Sequence, residues 1–154
     1  MTRTRTRLLF VCLGNICRSP LAEGIFLHLS ETRGLGDRFE VDSAGTGGWH
    51  AGNPADPRSI AVGRKHGIEL PSRARQVRAD ETDSWDLVLA MDTQNREDLL
   101  ALGFDAARVL CIREFDPNAE SADVPDPYYG GDDGFDKVYS MLHAACEGLL
   151  EDYQ

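Results

Sequence analysis

Cys12 and Arg18 are the residues whose types and spacing best suit chemistry, a latent nucleophile and a fixed cation at the two ends of Cys-Leu-Gly-Asn-Ile-Cys-Arg. An apolar run, Leu8 to Cys12, precedes the segment, and Ser19-Pro20 opens a helical pattern behind it. In open α/β sheets, ligands bind beyond the carboxyl ends of strands. The backbone N–H groups of residues 13 to 18 can converge there on one point, at a helix N-terminus whose dipole favours negative charge. Gly14 and Asn15 are residue types that tolerate the positive φ of such a curl. Arg18 adds a planar fork able to grip two oxygens of a tetrahedral oxyanion, and the same field favours a thiolate, the nucleophilic form of cysteine. The combination reads as a nucleophile, Cys12, beneath a phosphate held by Arg18 and by the loop Leu13, Gly14, Asn15, Ile16, Cys17, Arg18 and Ser19. A cysteine ending a buried strand is also an ordinary core residue. The reading therefore rests on strand, Gly-Asn curl, arginine and Ser-Pro helix start occurring together in that order.

The elements needed to hold this loop are visible along the chain. Strand-like runs alternate with helical patterns, which predicts an α/β domain with a mainly parallel sheet. Ser19 suits an N-cap and Pro20 a first helical residue. Leu21, Ala22, Ile25, Phe26 and Leu29 give that helix one apolar face, ended by Gly34. "FEVDSAGT" reads as a second strand, followed by a helix capped by Asp56-Pro57 and closed by Arg64, Lys65, His66 and Gly67. "WDLVLAM" is a buried third strand, Thr93 to Leu102 a helix, and "RVLCI" a fourth strand. The last helix, from about Gly134, buries Phe135, Val138, Tyr139, Leu142, Cys146 and Leu149. Before it lies an acidic loop, "REFDPNAESADVPDPYYGGDD", of a length that is usually functional in compact domains.

Composition narrows the function. The 154 residues suffice for one core, and four cysteines, Cys12, Cys17, Cys111 and Cys146, are too few and irregular for a disulfide framework. No C-x-x-C pair occurs and the four histidines are scattered, so neither a metal nor a cofactor is expected. The net charge of −10 argues against nucleic acid. The basic start "MTRTRTR" precedes only "LLFV", too short for a signal peptide or a membrane span, and a cytoplasmic setting is expected. The acidic surroundings of an anion site favour phosphopeptides with basic flanks.

The stretches "VCLGNICRSPLAE", "VDSAGTGGWHAGNPADPR", "HGIELPSRARQV", "MDTQN" and "DPYYGG" closely resemble, in this order and over nearly the whole chain, the low-molecular-weight protein-tyrosine phosphatases. The resemblance implies a single domain over residues 1–154, with 1–6 a flexible basic arm. Its fold class would be α/β, a four-stranded, mainly parallel twisted sheet of order 2-1-3-4 flanked by helices on both faces. It implies hydrolysis of protein phosphotyrosine through a cysteinyl-phosphate on Cys12, with Arg18 clamping the phosphate and Asp126 as general acid and then base. Asn15 and Ser43 would brace the curl, Ser19 would hydrogen-bond the thiolate, and Asp92 would support the site. Ile16, Trp49, Tyr128 and Tyr129 would wall the pocket; apart from the resemblance, Cys17 lies five positions from Cys12 in one curled loop, which makes it an expected redox partner. Expected partners are phosphotyrosine proteins and a cognate tyrosine kinase, with the enzyme a monomer. One departure is Ser72, where many members carry histidine, which puts one supporting hydrogen bond in question.

Three rivals share parts of this pattern. Protein-arginine phosphatases resemble "CTGNTCRSP", with threonine at the position of Ile16 and phenylalanine in the acid loop, whereas this chain has Ile16 and Tyr128. A thioredoxin-coupled arsenate reductase needs further clustered cysteines, while Cys111 and Cys146 fall in a strand and on an apolar helix face. A phosphate-binding module without turnover would not need Cys12, Arg18 and Asp126 all intact.

Overall fold

Strand β1 (Thr6–Cys12) is the apolar run that leads into the cysteine loop, and it lies inside a four-stranded sheet. The computed structural model describes residues 5–70, 72–128 and 133–153. The other strands are β2 (Phe39–Gly45), β3 (Leu87–Ala90) and β4 (Val109–Cys111), in the order β2-β1-β3-β4. All three pairings are parallel, with Cys12 opposite Gly45 and Val11 opposite Ala90. Thr6, expected within a basic arm, already pairs with Phe39 in this sheet.

Alternation along β1 splits the core in two. Leu8, Phe10 and Cys12 face one layer, packed by α1 (Arg18–Thr32), α2 (Pro57–Lys65) and α4 (Asp133–Tyr153). Leu9 and Val11 face the other, with Val88, Ala90, Val109, Trp85, Phe104 and Leu99 from α3 (Thr93–Leu102). Successive strand side chains point to opposite faces, so one buried strand serves both layers. Cys111, in β4, and Cys146, on the buried face of α4, are core residues as the sequence suggested.

Local signals set most boundaries. Asp56 caps α2 by accepting from the Arg58 N–H, Pro57 occupies the first turn, and Arg64 and Lys65 end the helix. The acidic loop is not patternless throughout, since Ile112–Phe115 forms a 3-10 turn at its start.

An ion pair anchors the segment that runs beside the cysteine loop. Arg75 donates in bidentate fashion to Glu81 at 2.8 and 2.9 Å, and Glu81 also accepts from the Arg78 amide and the Trp85 indole. Burial pushes the Glu81 carboxyl up, but Arg75, the Arg78 N–H and Trp85 outweigh it and bring its pKa down from 4.5 to about 2. A depressed carboxylate stabilises the fold fully above its unfolded value and loses that contribution as pH falls through the folded one. Glu81→Gln is therefore expected to cost about 2–3 kcal/mol near neutral pH. The deficit should shrink between pH 4.5 and 2, as measured by urea unfolding across that range.

Candidate active site

Residues 12–18 curl around the Cys12 sulfur as the chain passes from β1 into α1. Asn15 alone among the described non-glycine residues has a positive φ, 56°. Gly14 does not adopt one. Its lack of a side chain serves contact instead, since a Cβ there would meet His50 Cδ2 at 3.2 Å. Gly45, at the end of β2, lets the curl pack against the strand, because its Cβ would lie 2.8 Å from the Leu13 carbonyl oxygen. The Thr46 and Gly47 amides donate to the Cys12 and Leu13 carbonyls at 2.9 Å.

The Asn15 side chain fixes the curl from behind. Its Nδ2 donates to Ser19 Oγ at 2.7 Å and to Ser43 Oγ at 3.0 Å, and its Oδ1 accepts from the Arg75 amide at 3.0 Å. Ser43 and Ser72 both donate to Glu23 Oε1, at 2.6 and 2.8 Å. Ser19 Oγ accepts from Asn15, so its own hydrogen can go to Cys12 Sγ, 3.0 Å away, or to the Ala44 carbonyl, 3.4 Å away. The Asn15 backbone N–H donates to the same sulfur at 3.2 Å. Ser19 is therefore not the helix cap expected from sequence. The cap position is Cys17, which forms no side-chain cap bond, and the buried Ser19 hydroxyl faces the sulfur instead.

Glu23 is the least legible member of this chain of bonds. It is buried on α1, and burial pushes its carboxyl up, against the hydrogen bonds of Ser43 and Ser72. Its spacing, one helical turn beyond Ser19, was the available signal. Ser72 keeps a hydrogen bond to this carboxyl, which answers the question raised by the absent histidine.

Arg18 collects the negative groups. Its Nη1 donates to Asp92 Oδ2 at 2.6 Å and to the Val124 carbonyl at 2.9 Å, and its Nη2 lies 3.6 Å from Asp126 Oδ2. Burial alone would lower the guanidinium pKa, but Cys12, Asp92 and Asp126 overcome it and hold it above its usual value. Arg18 Nε is buried without a hydrogen-bond partner among the described residues, a donor that an oxyanion oxygen can meet. Asp92 serves two ends at once, since its Oδ1 caps α3 by accepting from the Asn95 N–H at 2.7 Å.

A pocket of about 500 Å3 opens over this loop, lined by Cys12, Ile16, Cys17, Arg18, Asp126 and Tyr128, with Leu13, Gly14, Trp49 and His50. The sequence-read nucleophile, clamp, acid and three of four wall residues thus share one cavity, while Tyr129 lies outside the described residues. The Asp126 carboxylate accepts from the Tyr128 amide at 3.0 Å, which turns the acid loop over the pocket. His50 and Arg58 were not singled out by sequence. His50 lies 6.3 Å from the Tyr128 ring, and Arg58 stacks over Tyr128 and Phe135 at 5.5 and 4.7 Å. Cys17 is buried, and burial with Asp56 and Cys12 pushes its thiol up to about 12. Burial likewise raises Cys111, to about 11, and Cys146. Neither lines the pocket, so no cysteine relay of the arsenate-reductase kind reaches it.

Comparison with known proteins agrees with this geometry. The family model described as low molecular weight phosphotyrosine protein phosphatase matches residues 7–154. A low molecular weight protein-tyrosine-phosphatase of Streptomyces coelicolor is 49% identical, over 94% of this chain and 91% of that protein. The low molecular weight protein-tyrosine phosphatase A of Mycobacterium tuberculosis is 46% identical, over 91% of this chain and 86% of its own length. Among solved structures, a protein tyrosine phosphatase from Entamoeba histolytica superposes with a TM-score of 0.91, at 38% identity and 96% coverage of both chains.

The Asn15 brace can be dissected by two substitutions. Asn15→Gly keeps the left-handed backbone and removes only the side-chain bonds, whose loss should cost on the order of 1–3 kcal/mol. Asn15→Ala should be worse by a further ~1–2 kcal/mol, the cost of a Cβ in that conformation. Urea unfolding measures both, and calorimetry with inorganic phosphate should show weakened binding in each.

Proposed function

The chain belongs to the low molecular weight phosphotyrosine protein phosphatase family and is a protein-tyrosine phosphatase, a phosphoric monoester hydrolase; we propose that it works through a phosphorylated Cys12. The observation that carries this reading is the shared cavity of Cys12, Arg18 and Asp126, with the unmet Nε–H of Arg18 buried beside it. In the first step the Cys12 thiolate attacks phosphorus in line, so that the S–P bond forms as the P–O bond to the tyrosyl oxygen breaks. Asp126 gives its proton to that departing oxygen. Arg18 and the loop amides hold the remaining phosphate oxygens and the charge they gain in the transition state. In the second step Asp126, now a carboxylate, takes a proton from water. The water oxygen bonds to phosphorus, and inorganic phosphate leaves as the S–P bond breaks. The thiolate returns to the Ser19 hydroxyl and the Asn15 N–H that hold it at rest.

The substrate ring stands above the phosphate, against Ile16, Trp49 and Tyr128. Ile16 gives this wall a branched apolar surface that suits a flat phenol and leaves a guanidinium's N–H groups without partners, which favours phosphotyrosine over phosphoarginine. Substrates bearing phosphotyrosine are products of a tyrosine kinase by their chemistry. We further read residues 1–154 as one catalytic domain acting as a monomer. Supporting this, the large apolar side chains left exposed among the described residues are few, namely Leu13, Trp49, Leu102, Tyr128 and Tyr153. A thiolate nucleophile and four free cysteines suit a reducing, cytoplasmic setting. Cys17 lines the same pocket as Cys12. Should peroxide convert the Cys12 thiolate to a sulfenic acid, the Cys17 thiol can displace water from it and form a reducible disulfide.

Two substitutions test the mechanism. Cys12→Ser should abolish turnover while inorganic phosphate still binds, because serine is not ionised in this field. Asp126→Asn should slow poor leaving groups on the order of 10²–10⁴-fold, and activated aryl phosphates far less, since only the former need a proton. A uniform loss across a leaving-group series would make Asp126 structural and end its assignment as the acid.

A further inference from the structure

Beside the phosphate site, and sharing its Leu13 and Trp49 walls, lies a second groove of about 230 Å3, also lined by Thr46, Val77, Asp98 and Leu102. Three of the five large apolar side chains left exposed among the described residues, Leu13, Trp49 and Leu102, meet here. Gly47 lets the Trp49 indole lie flat against the chain between the two cavities, since a Cβ at residue 47 would collide with the ring. The Asp98 carboxylate, steadied through Oδ1 by Gln94 Nε2 at 3.0 Å, stands at α3, and no cationic side chain is among the groove's lining residues. The Thr46 hydroxyl is buried without a hydrogen-bond partner among the described residues.

The geometry points to this groove as a substrate subsite that takes the side chain of a lysine or arginine two positions from the phosphotyrosine. The assignment rests on the phosphatase reading of the neighbouring pocket. In an extended peptide, residues two apart face the same way and stand roughly 7 Å from each other, so a neighbour of the seated phosphotyrosine reaches the adjoining cavity. The aliphatic stem covers Leu102, Val77 and the indole edge, as long basic side chains cover apolar surface elsewhere. The cation meets the Asp98 carboxylate and lies within reach of the Trp49 face. An acidic neighbour meets repulsion at Asp98 and from a chain of net charge −10.

A set of phosphotyrosine peptides with otherwise neutral residues, carrying Ala, Leu, Arg or Glu at each of the positions −3 to +3, tests the assignment through kcat/KM. Arg should exceed Ala by about five- to tenfold at one of the two positions −2 or +2 and by much less elsewhere. Asp98→Asn should remove that peak, and Asp98→Lys should turn it into a preference for Glu at the same position. Phenyl phosphate, too small to enter the groove, reports on the catalytic pocket alone. A wild-type enzyme idle on both phenyl phosphate and peptides would overturn the phosphatase reading itself. Normal phenyl phosphate turnover with a flat peptide profile would overturn the subsite only. So would a preference for Leu at −2 and +2, or an Arg preference equal at all positions and indifferent to Asp98→Asn, which would mean diffuse charge alone.

Discussion

The Asn15 side chain is the constraint on which the site depends. A backbone that curls seven residues around one sulfur leaves amide donors aimed inward and has little secondary structure of its own to hold it. Asn15 takes the left-handed turn the curl needs and keeps it with both side-chain N–H groups and its carbonyl oxygen, in two donations to hydroxyls and one acceptance from the Arg75 amide. Because each partner belongs to a different element, α1, β2 and the segment after α2, the curl is tied to three independently anchored pieces of the fold. The last of these is itself held through Arg75 on Glu81 and Asp42. The path from a part-buried ion pair to the resting sulfur thus runs through one amide side chain.

Charge is arranged differently at the mouth of the site than beneath it. Arg18 is the one arginine or lysine among the described residues that line the pocket, and it is already matched by Asp92, by Asp126 and by the Cys12 sulfur. A phosphate dianion arriving there adds to negative charge that one guanidinium cannot balance. The loop amides and the dipole of α1 make up part of the difference. In the proposed chemistry the proton that Asp126 delivers to the leaving oxygen relieves the rest. An acidic chain is in this way compatible with an anion site, since the positive potential is local, at a buried arginine and the start of α1.

What sequence could and could not show follows from the range of the interactions involved. The α2 cap at Asp56-Pro57, the limits of α3, the apolar face of α4 and the parallel sheet rest on neighbours in sequence, and all were legible. Ser19 looked like a cap because Ser-Pro is a local signal. Its hydroxyl is claimed instead by a sulfur seven residues earlier and an amide four residues earlier. Gly14 and Asn15 both suited the positive φ of the curl, but only Asn15 takes it, and what Gly14 makes room for is His50, thirty-six residues away. Cys12, Arg18 and Asp126 were found together, the first two through spacing and the third chiefly through family resemblance. Arg58, which supports Tyr128, left no such trace, because its contact joins a helix start to a loop seventy residues on.

The position held by Ser72 shows how the bracing chain tolerates change. A histidine there, which the family resemblance led one to expect, could place a cation against Glu23, whereas serine offers only a hydroxyl. Glu23 nonetheless accepts from Ser43 and Ser72 on one oxygen, and burial drives its carboxyl toward the neutral form. What the site requires from this end is direction, not charge. Ser43 must point its hydrogen at Glu23 so that its lone pair is open to Asn15, and Asn15 can then leave the Ser19 hydrogen free for the sulfur. Any acceptor at Glu23 sustains that orientation, whether paired with a cation or with hydroxyls. This chain of hydrogen bonds fixes geometry beneath the sulfur, and the change of charge during the reaction is left to Arg18 and its partners.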